Sequence, residues 1–262
     1  GDVELDGCVA ALLAKKPEFG AVVFDAAGPT ERTEAFADYK ANRPDMADDL
    51  VEQLPFIDQI VEAHAFPLIR RPGIEADDII GTLACRGAER GLEVSIVSGD
   101  KDFAQLISPK IRLLDTMKDV SYDAAAAFKK WGVHPEQMVD YLALMGDAVD
   151  NIPGVRGVGQ KTAAKLLEDF GSLDGIYTNI DKLKGKLRES LIEQRDAAYL
   201  SQRLARIQRE LALDVGLDDL RLRPPDRATL NGLLRTLEFF SMIVDEVDVQ
   251  TAELAQDVDL LD

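Results

Sequence analysis

The feature that most constrains this sequence is a repeated punctuation: short β-rich runs that stop at acidic residues, each followed by a stretch of helical periodicity. AVVF at residues 21–24 runs straight into Asp25, and LEVSIVSG at residues 92–99 runs into Asp100 and Asp102. IRLL at residues 111–114 is a weaker third run. Apolar residues recur at helical spacing over residues 50–63, 76–90 and 123–131, and Gly91 and Gly132 end the last two. Such alternation predicts an α/β fold, a mostly parallel sheet flanked by helices, with functional groups gathered at the carboxyl ends of the strands. Beyond Met145 the strand signal stops, and the chain reads as helix broken by Gly154, Gly157, Gly159, Gly171 and Pro224-Pro225.

The acids fall at element ends. Asp25, Asp100 and Asp102 follow predicted strands, while Glu75, Asp77 and Asp78 in GIEADDII open a helix on which Glu75 and Asp78 share a face. Asp147 and Asp150 in MGDAVDN repeat that spacing. Helix capping and Asx turns account for each cluster taken singly. Taken together, eight ionised carboxylates in one pocket would repel one another unless cations neutralise them. Two Mg²⁺ or Mn²⁺ ions suit such oxygen donors, and an ion pair of that kind clamps an in-line phosphoryl displacement.

Charge is uneven along the chain. The formal net charge of −18 over 262 residues excludes nucleic-acid binding through bulk electrostatics, so any phosphate footprint must be local. Residues 151–212 hold 11 Lys/Arg against 8 Asp/Glu, whereas residues 213–262 hold 4 against 12. Inside the basic stretch, Gly154, Val155, Gly157, Val158 and Gly159 precede a helix starting near Gln160, where backbone N–H groups with Lys161 and Thr162 offer a phosphate site. After Asp25, a charged amphipathic insertion carries Arg32, Lys40 and Arg43 with Tyr39, cations suited either to hold a scissile phosphate or simply to solvate an exposed helix. Residues 245–262 hold seven acids and no base, which reads as a solvated tail.

Other classes recede. No apolar run approaches the roughly 20 residues of a membrane span, and acids rather than bases precede the N-terminal apolar stretch, so no export signal is expected. Cys8 and Cys85 are too few for a disulfide framework and read as buried thiols in a reducing cytoplasm. His64 and His134 lie apart from every motif and are taken as surface or loop residues, which disfavours a histidine mechanism.

VVFDA, Arg32 with YKANR, GIEADDIIGTLA, SGDKDFAQL, LMGDAVDNIPGV and GVGQKTAAKLL stand in one order between Val22 and Leu167, within a likeness that runs from about Pro17 to Phe239. In this the chain resembles the flap-endonuclease family, specifically the 5′-nuclease domains of bacterial DNA polymerases I. The resemblance implies a PIN/flap-endonuclease-like α/β core over residues 1–145 with a helical arch near residues 27–55, a helix-hairpin-helix DNA-binding subdomain over 146–212, and a C-terminal helical segment and acidic linker over 213–262. It implies two Mg²⁺ or Mn²⁺ ions on Asp25, Glu75, Asp77, Asp78, Asp100, Asp102, Asp147 and Asp150, arch cations at Lys40 and Arg43, an arch-base cation at Arg32, and K⁺ at the hairpin. The implied reaction is hydrolysis of DNA at 5′ flaps, nicks or RNA primers, with a polymerase region following in the native chain. The sequence starts after the family's first strand, whose Asp is a metal ligand, and Asp6-Gly7 replaces it poorly. A catalytically impaired junction-binding fragment is therefore the alternative; a small-molecule phosphatase would leave the cations and the hairpin unexplained.

Overall fold

The computed structural model of the chain describes residues 16–44 and 46–243. Asp6-Gly7, Cys8 and the acidic run 245–262 lie outside the described residues. In chain order the elements run β1 (Val22–Val23), α1 (Glu31–Ala35), α2 (Asp48–Ala63), β2 (Leu68–Ile69), α3 (Ala76–Glu89), β3 (Val94–Val97), β4 (Ile111–Asp115) and β5 (Val120–Tyr122). Helices follow: α4 (Ala124–Trp131), α5 (Met138–Met145), α6 (Gln160–Phe170), α7 (Leu173–Thr178), α8 (Gly185–Glu193), α9 (Arg195–Ala205) and α10 (Arg227–Thr236).

Two compact units result. One joins the chain up to Val22, Met46–Ile69 and Asp218 onward. Its core sets Ile60 and Ala63 of α2 against Leu230 and Leu234 of α10. Backbone bonds from Gly20 to Leu220 O (2.9 Å) and from Leu222 to Glu18 O (3.0 Å) tie its segments together. His64 caps the end of α2 and is 5% exposed, so it is a packed residue and not the surface histidine its polarity suggested.

The other unit, Val23–Asp45 with Arg70–Leu217, carries every candidate site residue. β3 and β4 pair in parallel, Val94 opposite Ile111 and Val97 opposite Leu114, while β5 returns antiparallel with Tyr122 opposite Leu113. The antiparallel partner follows from the short link between β4 and β5, because a parallel crossover needs a dozen or more residues. β1 and β2 form a sheet of their own, so the runs ending at Asp25 and Asp100 do not lie in one described sheet, as the alternation had implied.

Local chemistry explains the helices around this sheet. Asp123 caps α4 by accepting from Ala126 N (2.8 Å), and Gly132 closes it in the left-handed conformation that glycine adopts without a Cβ clash. α5 is apolar on almost every face and packs along α9; Tyr141, Leu142 and Leu144 are buried, and fully burying a large apolar side chain stabilises by about 1.5–3 kcal/mol. Cys85 is half-buried. Among the described residues, no helix is long and apolar enough to cross a membrane.

Candidate active site

The acids opening α3 point two ways. Glu75 is the N-cap yet makes no side-chain cap bond; Asp25 does that work from across the fold, accepting from Ala76 N at 2.8 Å. Glu75 and Asp78 face Arg32, which forks onto Asp78 with bonds of 2.6 and 2.7 Å and lies 3.5 Å from Glu75. Nε and Nη2 of Arg32 also donate to Leu204 O and Arg206 O, and Gln208 N donates to Asp78. Gly81 lets this segment close on α3, since a Cβ there would stand 2.9 Å from Gln208 O. Burial opposes the Arg32 charge, but the Asp78 fork and the Asp78 and Glu75 charges hold its pKa above the ordinary value.

Glu75 gathers the arch segment. Thr30 Oγ1 donates to its Oε1 (2.8 Å), while Lys40 Nζ (2.6 Å) and Tyr39 OH (3.1 Å) donate to its Oε2. Burial would raise the Glu75 pKa, but the Lys40 bond and the Arg32 charge hold it below the ordinary carboxylate value. Within residues 27–55, α1 has five residues, turns follow to Arg43, and α2 begins at Asp48. Lys40 is left-handed (φ 57°), which ends any helix there, and its N–H donates to Asp150 O (2.9 Å). Asn151 adds a bond from Nδ2 to Asp38 O (2.7 Å), so the arch rests on the turn after α5.

Asp77 turns away from Arg32, toward the end of β3. Its pKa is pushed up to about 7, first by burial and then by Asp100, with Asp25 and Glu75 adding and Lys40 opposing. Asp102 is likewise pushed to about 7 by burial and then Asp100, with Asp147 and Asp150 contributing and Lys101 opposing. Asp100 builds the turn that delivers them, its Oδ1 accepting from Asp102 N at 2.9 Å. Asp102 Oδ1 is buried with no hydrogen-bond partner among the described residues. Asp147 Oδ1 accepts from Val149 N and Asp150 N, and its Oδ2 pairs with Lys101 Nζ; Asp150 Oδ1 pairs with Arg43 at 2.5 Å.

The scattered acids are thus brought into mutual electrostatic reach, with one distinction that sequence did not make. Asp78 has both oxygens committed to Arg32 and Gln208, and it fixes the base of the arch. Asp77 and Asp102 are the acids whose ionised forms are least favoured, and the Asp102 Oδ1 that lacks a hydrogen bond, with an all-carboxylate donor set, fits a hard divalent cation. As the side chains stand, no three His, Cys, Asp or Glu among the described residues are gathered into an ion-holding group.

The glycine hairpin folds as a clasp. Gly146 and Gly154, both at positive φ, press backbone to backbone: a Cβ on Gly146 would stand 2.7 Å from Ile152 O, and one on Gly154 the same distance from Gly146 Cα. Asp147 and Ile152 exchange backbone bonds of 3.0 and 2.7 Å across it. Gly154 N is spent on Ser201 Oγ (2.9 Å), and Val155 and Val158 are buried, so these three shape the loop and do not face a ligand. Gly157, Gly159 and Lys161 are exposed at the start of α6, where N–H groups lack intrahelical acceptors, and Thr162 is half-buried. Tyr39, expected at a DNA surface, is 5% exposed with its hydroxyl on Glu75 and Lys40 over its ring, so it braces the site from within.

Two residues in SGDKDFAQL were not read from sequence as site residues. Lys101, between two acids, reaches Asp147; Gln105 binds Asp102 O (3.0 Å), Ala205 O (2.9 Å) and Ile207 N (2.9 Å), locking the Asp100–Asp102 turn to the segment that holds Arg32. The lysine's place between Asp100 and Asp102 was the available signal.

Comparison with known proteins agrees with this architecture. Residues 5–132 match the family model described as 5′-3′ exonuclease, N-terminal resolvase-like domain, and residues 133–228 match 5′-3′ exonuclease, C-terminal SAM fold. The chain belongs to the 5′-3′ exonuclease family. It is 37% identical to a 5′-3′ exonuclease of Aquifex aeolicus over 91% of this chain and 82% of that protein. It is 47% identical to DNA polymerase I of Pseudomonas aeruginosa over 86% of this chain, and spans about a quarter (26%) of that protein's length. The fold is shared with T5 5′-exonuclease, solved with zinc ions (TM-score 0.68, 24% identity, 78% of this chain and 80% of that one). It is shared also with the catalytic core of Rad2 in complex with DNA substrate (TM-score 0.53, 19% identity, 82% and 73%).

Proposed function

We propose that this chain hydrolyses phosphodiesters at DNA 5′ flaps, nicks or RNA primers with divalent cations, Mg²⁺ or Mn²⁺, held by Asp77, Asp100 and Asp102, with Asp25, Glu75, Asp147 and Asp150 completing the set. The observation that carries this reading is the pairing of Asp77 and Asp102 around Asp100: both are half-buried, both are shifted to about 7, and Asp102 Oδ1 is buried with no hydrogen-bond partner among the described residues. Bound ions would supply an activated water and would offset charge on the attacking and leaving oxygens. The protein's own residues do the rest. Arg32 and Asp78 fix the base of the arch, and Lys40 and Arg43, resting on Glu75 and Asp150, are the cations placed to meet a phosphate beside the acids. Gly157, Gly159 and Lys161 at the start of α6 hold the duplex backbone by phosphate contacts, which position without reading sequence. K⁺ at the hairpin and a polymerase region in the same native chain belong to the same reading, as does a cytoplasmic setting.

A labelled 5′-flap cleavage assay tests it. Cleavage is expected in Mg²⁺, absent in excess EDTA, and lost in Asp100→Asn, which removes the charge that both shifted acids share. Robust cleavage in EDTA or by that variant overturns the metal assignment. Flap binding without cleavage in either Mg²⁺ or Mn²⁺ would instead identify a junction-binding fragment.

A further inference from the structure

Lys101 is the residue that the proposed chemistry leaves without a task, and its surroundings give it one. Asp147 has two oxygens: Oδ1 is committed to the backbone of Val149 (2.7 Å) and Asp150 (3.3 Å), leaving Oδ2, which holds the Lys101 ammonium. The same ammonium stands 3.7 Å from Asp102 Oδ1, the buried oxygen without a hydrogen-bond partner among the described residues. A cation coordinated by Asp147 Oδ2 and Asp102 Oδ1 would therefore occupy the space and the charge that Lys101 now supplies. Two positive centres at such separation repel strongly enough near a protein surface that they exclude each other. Lys101 is a third exposed, which gives its flexible stem a route outward.

We propose that Lys101 is an internal counter-ion that competes with a divalent cation for the Asp147 and Asp102 carboxylates, so that metal entry displaces its ammonium. This rests on the metal-dependent reading above, and it reverses the usual expectation for a charged residue at such a site. Lysine here weakens metal binding while holding the acids together without metal. Because the two occupancies exclude each other, the coupling is reciprocal: what Lys101 contributes to the metal-free fold it subtracts from metal affinity.

Mn²⁺ titration of the whole chain, followed by electron paramagnetic resonance and by calorimetry, measures this directly. Lys101→Met is expected to bind Mn²⁺ at least about fivefold more tightly than the wild type, the lower end of ordinary coupling between two sites. Its melting temperature should be lower in EDTA, with a larger rise on adding Mn²⁺, since a ligand stabilises in proportion to its affinity. Lys101→Gln, which keeps a polar stem, should behave the same way. If either variant folds only when Mn²⁺ is present, the ion has replaced the lysine and the proposal stands. Equal or weaker Mn²⁺ binding in the variants, with the wild type binding normally, overturns the proposal and leaves the nuclease reading intact. Failure of the variants to fold even in Mn²⁺ also overturns it. Absence of Mn²⁺ binding by the wild type removes the metal reading itself and this proposal with it.

Discussion

Replacing Arg32 with methionine should cost far more than a surface arginine would. The guanidinium is 11% exposed and its partners Asp78 and Glu75 only 5% and 4%, so the substitution strips the buried Asp78 of its charged partner and leaves Glu75 with Lys40, Tyr39 and Thr30. Removing one partner of a buried, hydrogen-bonded ion pair costs about 3–5 kcal/mol. Losing charged donors to Leu204 O and Arg206 O adds to that, although water can replace the donor to the exposed Arg206 carbonyl. Gln208 N stays on Asp78 and offsets part of the loss. A net loss of about 4 kcal/mol lowers the melting temperature of a domain this size by roughly 8–16 °C. Arg32→Lys should recover about half, because an ammonium keeps the charge but cannot fork. Thermal and urea unfolding of Arg32→Met, Asp78→Met and the double variant supply the cycle, with a coupling of at least about 2 kcal/mol expected between the two positions. A loss under about 1 kcal/mol in Arg32→Met, or strict additivity in the double variant, would refute the claim that this pair is a buried anchor.

Three further outcomes follow from the geometry. Asp77 and Asp102 rise from 3.8 to about 7, so the native state keeps protons that the unfolded chain releases; these two acids cost the metal-free fold nothing below about pH 4 and weaken it as pH climbs to 7. Glu75 and Asp147, held low, act oppositely, and their contribution is lost in acid as pH drops through their folded values. Urea unfolding at pH 5 to 8 should show the decline in EDTA and its removal by saturating Mg²⁺, whereas a flat or rising metal-free curve contradicts the upward shift of those two acids. Gly154→Ala places a Cβ 2.7 Å from Gly146 Cα at a φ of 62° and should destabilise by more than about 3 kcal/mol or abolish folding, as read by circular dichroism. Lys161→Ala should weaken duplex binding equally for all sequences and reduce the slope of log affinity against log salt by about 1, measured by fluorescence anisotropy between low and moderate salt.

How much of this was legible in the sequence depends on how local the determining physics is. The limits of α3 and α4 were readable because their signals are local: acids in the first turn of α3 and at the cap of α4, apolar residues at helical spacing, and glycine just past the end. Leu68–Ile69 and Val120–Tyr122 escaped notice as strands because two or three residues are too short for an alternation, and a ladder partner alone defines them. The acids were identifiable as a set, since their position after strands or at helix starts is a property of the chain. Their division of labour was not. Asp77 and Asp78 are neighbours in sequence, yet Asp78 spends both oxygens on Arg32 and Gln208 while Asp77 turns to Asp100, a difference settled by contacts 46 and 130 residues away. Tyr39 misled for the same reason: an aromatic beside three cations was assigned to a DNA surface, and packing places its ring in the core.

The back-to-back glycines at 146 and 154 have a consequence for length measurement. They hold the turn that carries Asp147 and Asp150 against the start of the loop that leads to α6. A nucleic-acid backbone docked at Lys161 would then meet the acids at a set number of ångströms along its strand. The spacing between that contact and the acids would then help to choose which bond faces them.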